Sequence, residues 1–443
     1  MVDLTYNYTR ISSASTPPDF SHFPQFSPNL FVNASINDAG YIDYEGLAGT
    51  TTNYLPPSAN YSVKGDGPPA TLIDTSGYQF TDSTGTTYDS GIFFSPSSNS
   101  SGTAVFAGSG YNLLTPQASG SGPTAVLSNT NGAINNVAYD STPFVVSALD
   151  PNKSINDLSN QIATGSFVSE PSINNQGTIA YIAGNSDGTS SILAKSSSGA
   201  TNTIADAGGN SNFSDFRFGG LDVGRGEGPF AKYTIPALNN KGAVAFNADL
   251  KGGGKGIFVS DGSSFNTVVA DTTNSPYIYL SLPSLNDSGT VAFNAGSTTG
   301  GAAILTSTDG KLTTIADTNS GSIFKDFKSD VALNQQGDIA FQADLNNGST
   351  AIYTGSASGL NKVIAVGDSL DGSTVSTLFL SRGGLNDNGQ IAFDAVLANG
   401  GQEVFRADPT AVPAPSGIPL LGLAMFSMIG YHWRHRKQQR GER

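Results

Sequence analysis

LNNKGAVAFNADL, residues 238–250, returns almost unchanged as LNDSGTVAFNAG at 285–296, LNQQGDIAFQADL at 333–345 and LNDNGQIAFDAVL at 385–397. Aligned on the glycine, three weaker copies precede them: SINDAGYIDY around Gly40, SSNSSGTAVFAG around Gly102 and SINNQGTIAYIAG around Gly177. The steps between these glycines are 62, 75, 65, 47, 48 and 52 residues. Asn-x-x-Gly is turn chemistry, because asparagine hydrogen-bonds to its own backbone and glycine accepts positive φ. The residues that follow alternate. Val244 and Phe246 share one face, Ala245 and Asn247 the other, which predicts a strand. Small residues recurring on one face predict a neighbouring backbone close by.

A second phrase follows each copy: GIFVSDGSSFNTVVAD from Gly256, AAILTSTDGKLTTIAD from Ala302 and AIYTGSASGLNKVIAVGD from Ala351. Each is two β-rich runs around a short glycine turn, a hairpin. A third segment, such as SPYIYLSLPSLNDSG, leads to the next Asn-x-x-Gly. A repeat of roughly 40–50 residues with about four strands is the signature of a propeller blade. The last copy stops after the start of its second strand. The chain begins with LTYNYTRISSAS, which resembles the third strand of a blade, and with FSPNLFVNASINDAG, which resembles a lead-in. The expectation is therefore an all-β chain: a β-propeller over residues 1–409 with six internal blades and a seventh assembled from both termini. Such closure hides edge strands that otherwise invite aggregation. An open β-solenoid is the main alternative, but its coils would be shorter and more regular.

The chain of 443 residues exceeds what one ordinary core serves, in keeping with a repeat architecture. It has no cysteine, so disulfides say nothing about its compartment. Net charge is −14, and the part before Thr410 holds 16 basic against 34 acidic residues. That balance excludes the basic footprint a nucleic-acid partner requires.

Chemistry-bearing clusters are few. The histidines are His22, His432 and His435, too scattered for a zinc site, and a serine triad would have to use His22. The glutamates before the tail are Glu45, Glu170, Glu227 and Glu403, whereas a glycosidase needs two carboxylates flanking one bond. The most irregular insert, RFGGLDVGRGEGPFAKY, gathers Arg217, Asp222, Arg225 and Glu227 in a glycine-rich loop. They are the candidate binding residues at a propeller mouth; local pairing in a solvated connector is the plainer alternative. Asp187-Gly188, Asp261-Gly262, Asp309-Gly310 and Asn347-Gly348 could at most hold Ca²⁺ weakly, and hairpin turns explain them better. Asp206, Asp271, Asp317 and Asp368, which close each third strand, read as turn caps, with an acidic ring on one rim of the channel as the alternative. No cofactor is implied.

The end of the chain departs from everything before it. A Pro-rich linker, 410–416, precedes an apolar run expected to be helical over 417–433, then a basic tail, 434–443, with Arg434, Arg436 and Lys437. The apolar run falls short of the roughly 20 residues that span a bilayer comfortably. Positive charge directly after it is a stop-transfer arrangement with a cytoplasmic basic end. This tail resembles a PEP-CTERM sorting signal, with Val412, Pro413, Ala414, Pro415 and Ser416 at the motif and Ala414 replacing the usual Glu. The resemblance implies an exosortase-type sorting enzyme as partner and transient anchoring in the inner membrane.

The body resembles bacterial surface proteins with NxxGxxAFxA tandem repeats. Asn239, Gly242, Ala245, Phe246 and Ala248 match in order, as do Asn286, Gly289, Ala292, Phe293 and Ala295. So do Asn334, Gly337, Ala340, Phe341 and Ala343, and Asn386, Gly389, Ala392, Phe393 and Ala395; the Asn174 copy has Tyr181 for Phe. Export calls for a signal that MVDLTYNYTRISSAS does not contain, so the expected start lies upstream. The favoured role is a non-enzymatic surface or matrix protein presenting loops to extracellular polysaccharide or other proteins. The alternative is a glycan hydrolase or lyase working at the propeller mouth.

Overall fold

A computed structural model describes residues 4–14, 34–47, 58–67, 70–74, 79–81, 85–93, 96–111, 121–140, 171–185, 189–216, 235–270, 276–327 and 331–411. The described residues form seven antiparallel sheets, the blades of a propeller, and no helix. Blades 1 to 6 carry the Asn-x-x-Gly turns of Gly40, Gly102, Gly177, Gly242, Gly289 and Gly337 in chain order. Blade 7 carries that of Gly389 and is composite. Its strands Ile391–Leu397 and Gln402–Ala411 come from the C-terminal side, and Leu4–Ala14 completes it, with Tyr6 opposite Pro409 and Thr9 opposite Arg406. The last strand runs two residues beyond the expected boundary at Pro409, because Thr410 and Ala411 pair with Thr5 and Leu4. Residues 412–443, which include the Pro-rich stretch from Val412, the apolar run and the basic residues expected above to form a sorting signal, lie outside the described residues.

Blade 5 shows the plan. Its inner strand is broken into Tyr277–Leu280 and Ser284–Leu285, both paired to Val291–Ser297. Ala302–Thr308 and Lys311–Asp317 follow outward. The VAFNA strand is thus second from the axis. The lead-in segment belongs to the blade it leads into, not to the one before.

Both faces of the second strand are buried, because each blade is packed between two others. Ala180, Ala245, Ala292 and Ala340 share apolar clusters with Phe246, Phe293, Phe341 and Phe393 of the following blade. Ala392 does so with Tyr44, closing the circle, and Val105 stands in the alanine's place against Tyr181. The alternation read from the sequence is therefore large against small across six of the seven seams, which lets blade backbones approach.

The turn itself ties the seams. In each blade the asparagine Oδ1 accepts the N–H four residues on, at 2.8–3.0 Å. The glycine takes a φ of 73–86°, a region that penalises side chains. The asparagine Nδ2 then donates to the backbone carbonyl of the next blade's asparagine. Asn37 bonds Asn99 at 2.8 Å, Asn99 bonds Asn174 at 3.2 Å and Asn174 bonds Asn239 at 3.0 Å. Asn239 and Asn286 continue at 3.1 Å each, Asn334 at 3.5 Å, and Asn386 returns to Asn37 at 3.1 Å. The result is a closed ring of seven asparagines.

Deleting residues 1–14 removes the outer strand of blade 7, with buried Ile11 and half-buried Tyr6. We expect a loss of at least about 3 kcal/mol in denaturant unfolding, from that burial alone, and aggregation through the bared Gln402–Ala411 edge. An unchanged unfolding midpoint would contradict closure.

Candidate functional site

The breaks in the inner strands decide what reaches the axis. In blade 7 the break holds Ser381–Arg382–Gly383–Gly384. A Cβ on Gly383 would lie 2.7 Å from that of Ser35, and the Ile36 N–H donates to the Gly383 carbonyl at 2.8 Å. Only glycine lets blade 7 meet blade 1 so closely. Arg382 is thereby aimed across the bore: its Nη1 donates to the carbonyls of Ile235 in blade 4 at 2.7 Å and Pro283 in blade 5 at 2.9 Å. On one side of the break, the inner strands of blades 4 to 7 each bulge at one residue. Ser214, Ile278, Lys325 and Ser376 occupy the bulges of blades 4 to 7 and are exposed.

The long inserts attach at this level. Residues 217–234 interrupt the inner strand of blade 4, between Phe213–Asp215 and Ala237–Leu238. Residues 15–33 and 141–170 end just before Ala34 and Pro171, at the two-residue inner strands of blades 1 and 3. Arg382 holds Ile235, where the blade 4 insert rejoins, and Ser381 Oγ donates to the Ala34 carbonyl at 2.5 Å. The residues that flank these inserts, Ala34, Pro171 and Ile235, thus lie at the inner strands. Arg217, Asp222, Arg225 and Glu227 lie inside the blade 4 insert, outside the described residues.

Other sequence candidates take structural roles. Asp206 and Asp317 cap turns through the N–H groups of Gly208 at 2.7 Å and Asn319 at 2.9 Å. Asp368 accepts from the Ala365 N–H and from Lys362; Asp271 and Asp187-Gly188 are outside the described residues. Asp309 and Gly310 both have positive φ, as a tight hairpin turn needs. Glu45 and Glu403 sit in different blades, and half-buried Glu403 lies 3.8 Å from Arg10. No group of three or more His, Asp or Glu positioned for a metal occurs among the described residues, and no described helix is long and apolar enough to cross a membrane.

Two buried carboxylates were not singled out from the sequence. Asp43 stands in the alanine position of blade 1, where the other seams have Ala or Val, and is 1% exposed. Burial pushes its carboxyl up to about 6, against hydrogen bonds from Ser62 and Ser98 that favour the charged form. Asp394 is aligned with Asn247, Asn294 and Gln342, whose amides donate to carbonyls of the next blade. A carboxylate cannot donate there. It accepts a long 3.4 Å bond from the Ala34 N–H, and burial raises its pKa well above the ordinary carboxylate range. The signal for both lay in the alignment: SINDAGYIDY puts Asp where AFxA puts Ala, and FDAV puts Asp where the three copies before it have an amide.

A family model described as "Family of unknown function (DUF7453)" matches residues 15–419. No curated protein matches. Among solved structures the chain is similar to a putative TolB from Agrobacterium tumefaciens, with 13% identity, a TM-score of 0.36 and coverage of 72% of this chain and 90% of that one. It is similar to SapL1 lectin in complex with alpha methyl fucoside, with 12% identity, a TM-score of 0.37 and coverage of 76% and 96%. It is also similar to Penicillium chrysogenum alpha-L-arabinanase complexed with arabinobiose, with 11% identity, a TM-score of 0.39 and coverage of 81% and 100%. At such scores these likenesses carry no argument about what this chain binds.

The raised Asp43 sets a sign for pH dependence. Between pH 4 and 6 the folded state holds the proton that the unfolded state has released, so this group's contribution to stability falls as pH rises. Asp43→Asn should gain about 3 kcal/mol over the parent at pH 7 and nothing at pH 4, measured by denaturant unfolding at both. A variant equally or less stable at pH 7 would refute the assignment.

Proposed function

The chain belongs to the DUF7453 family of unknown function, and from that premise we propose that it is an exported bacterial surface or matrix protein. It acts as a non-enzymatic scaffold whose propeller mouth presents variable loops to extracellular polysaccharide. The observation that carries this reading is the division of labour along the chain. The repeated residues are consumed by seams and turns, while the long inserts attach at the inner strands around the bore. An acidic, turn-rich body with net charge −14 suits a soluble surface and disfavours nucleic acid.

The tail supports the placement. Val412–Pro413–Ala414–Pro415–Ser416, the apolar run and the basic Arg434, Arg436 and Lys437 resemble a PEP-CTERM signal read by an exosortase-type enzyme. In this reading the anchor is transient and the mature protein ends near the motif. The buried carboxylates serve the seams and need no catalytic role. Arg217, Asp222, Arg225 and Glu227 are the insert residues proposed to meet the ligand.

Two measurements test the reading. A glycan array probed with the full chain, with and without Ca²⁺, should show binding to extracellular polysaccharide fragments; a flat array under both conditions would remove the ligand claim. Mass mapping of the C-terminus after expression in a host with a sorting enzyme should find a form lacking residues 417–443. A form retaining the apolar run in the membrane would favour a permanently anchored protein.

A further inference from the structure

Blade 5 breaks the repeat at one register. In blades 4 and 6 the inner strand sets an aspartate opposite an aspartate: Asp215 against Asp249, and Asp326 against Asp344. In blade 5 the same pair is Tyr279 against Gly296. The two changes belong together, because a Cβ on Gly296 would lie 3.2 Å from the Tyr279 Cβ. Both residues line an open cavity of about 240 Å³ at the seam between blades 5 and 6, together with Asn294, Asp326 and the Ser297–Ala302 turn with Gly300 and Gly301.

The polar groups here are short of donors. Asn294 is 2% exposed, yet its Oδ1 has no hydrogen-bond partner in the protein. Its Nδ2 reaches the Phe327 carbonyl only at 3.4 Å, whereas Gln342, the equivalent residue of blade 6, reaches the Leu378 carbonyl at 2.9 Å. A buried acceptor left unmade costs on the order of 1–3 kcal/mol. Asp326 is exposed and uses one carboxylate oxygen, Oδ1, on its neighbour's N–H at 2.8 Å.

We propose that this seam is a binding subsite for a single neutral sugar unit of a polysaccharide. The inference rests on the polysaccharide reading above and places one contact point outside the inserts. Asp326 and Asn294 call for ligand hydroxyls that donate. Tyr279 offers an aromatic surface to the C–H face of a pyranose, and three glycines let the ring approach backbone. A uronic acid would meet the Asp326 carboxylate and an acidic body. The volume is below the roughly 300–1,000 Å³ of sites for drug-sized ligands, which suits one ring rather than an extended segment.

The test compares the full chain with Gly296→Asp, which fills the cavity with the side chain that blades 4 and 6 carry opposite an aspartate, on immobilised neutral oligosaccharides and on polyuronate. The parent should bind neutral oligosaccharides and not polyuronate, and Gly296→Asp should lose at least tenfold in affinity while still unfolding in a single cooperative transition. Should Gly296→Asp fold poorly, Asp326→Asn, which keeps the Oδ1 acceptor, should weaken binding severalfold without moving the melt. If the folded variants bind neutral sugars like the parent, the subsite is wrong and the polysaccharide reading stands. Binding confined to polyuronate overturns the subsite as well, and a parent that binds no glycan overturns both.

Discussion

The propeller depends on one side chain used twice. In each turn an asparagine spends its carbonyl oxygen on its own backbone and its amide nitrogen on the neighbouring blade. No other residue of that length offers an acceptor and a donor at the same tip. The first bond fixes the turn, and glycine three residues on permits it. The second can form only if the next blade sits at one distance and one angle. Repeating the turn seven times therefore specifies a closed ring rather than an open stack, since the donor of Asn386 finds its acceptor in Asn37. The following residue extends the link: the N–H of Asn240 reaches Asp287 at 2.7 Å, that of Asp287 reaches Gln335, and that of Asp387 reaches Asp38 at 2.9 Å.

Apolar packing completes what the ring aligns. A small residue on one blade receives an aromatic ring from the next, and Phe246, Phe293, Phe341 and Phe393 are wholly buried. Exceptions cluster where the chain begins. Blade 1 carries Tyr44 and Asp43 in place of Phe and Ala, and blade 7 faces it with Asp394 in place of an amide. The seams on either side of blade 1 thus each hold a buried carboxyl that burial makes a weaker acid than an ordinary carboxyl. Net charge adds to this at the ring, where burial first, then the carboxylates of Asp38 and Asp287, raises Asp387.

Much of this was legible before any coordinates. The strand alternation, the hairpins and the missing strand of the last repeat follow from period-two patterning and turn chemistry, and the N-terminal strand takes the place expected of it. The sequence also told that Asn-x-x-Gly caps a turn. It could not tell where the free amide points, because a seam is a relation between residues 47 to 75 positions apart, or 349 at the closing seam, with no pattern of its own until blades are placed. Arg382 was hidden for the same reason: its partners, Ile235 and Pro283, are carbonyls, which carry no side-chain signature. The Tyr279–Gly296 pair was in plain view as two letters, but their adjacency needs the strand register. Repeats announce the scaffold, whereas paired departures from a repeat become visible only when the scaffold is built.

The account turns on the donor half of the ring, and one isosteric change isolates it. Asn286→Asp keeps the Oδ1 that accepts from Ser288 and Thr290, and replaces the Nδ2 donor facing the Asn334 carbonyl with a second oxygen. Denaturant unfolding at pH 7 should show a loss of about 3 kcal/mol or more, since a buried carboxylate would face a carbonyl. Asn347→Asp, at an exposed hairpin tip, should stay within about 0.5 kcal/mol of the parent. Equal stability of the two variants would show that the asparagines serve only their own turns and that packing alone closes the propeller.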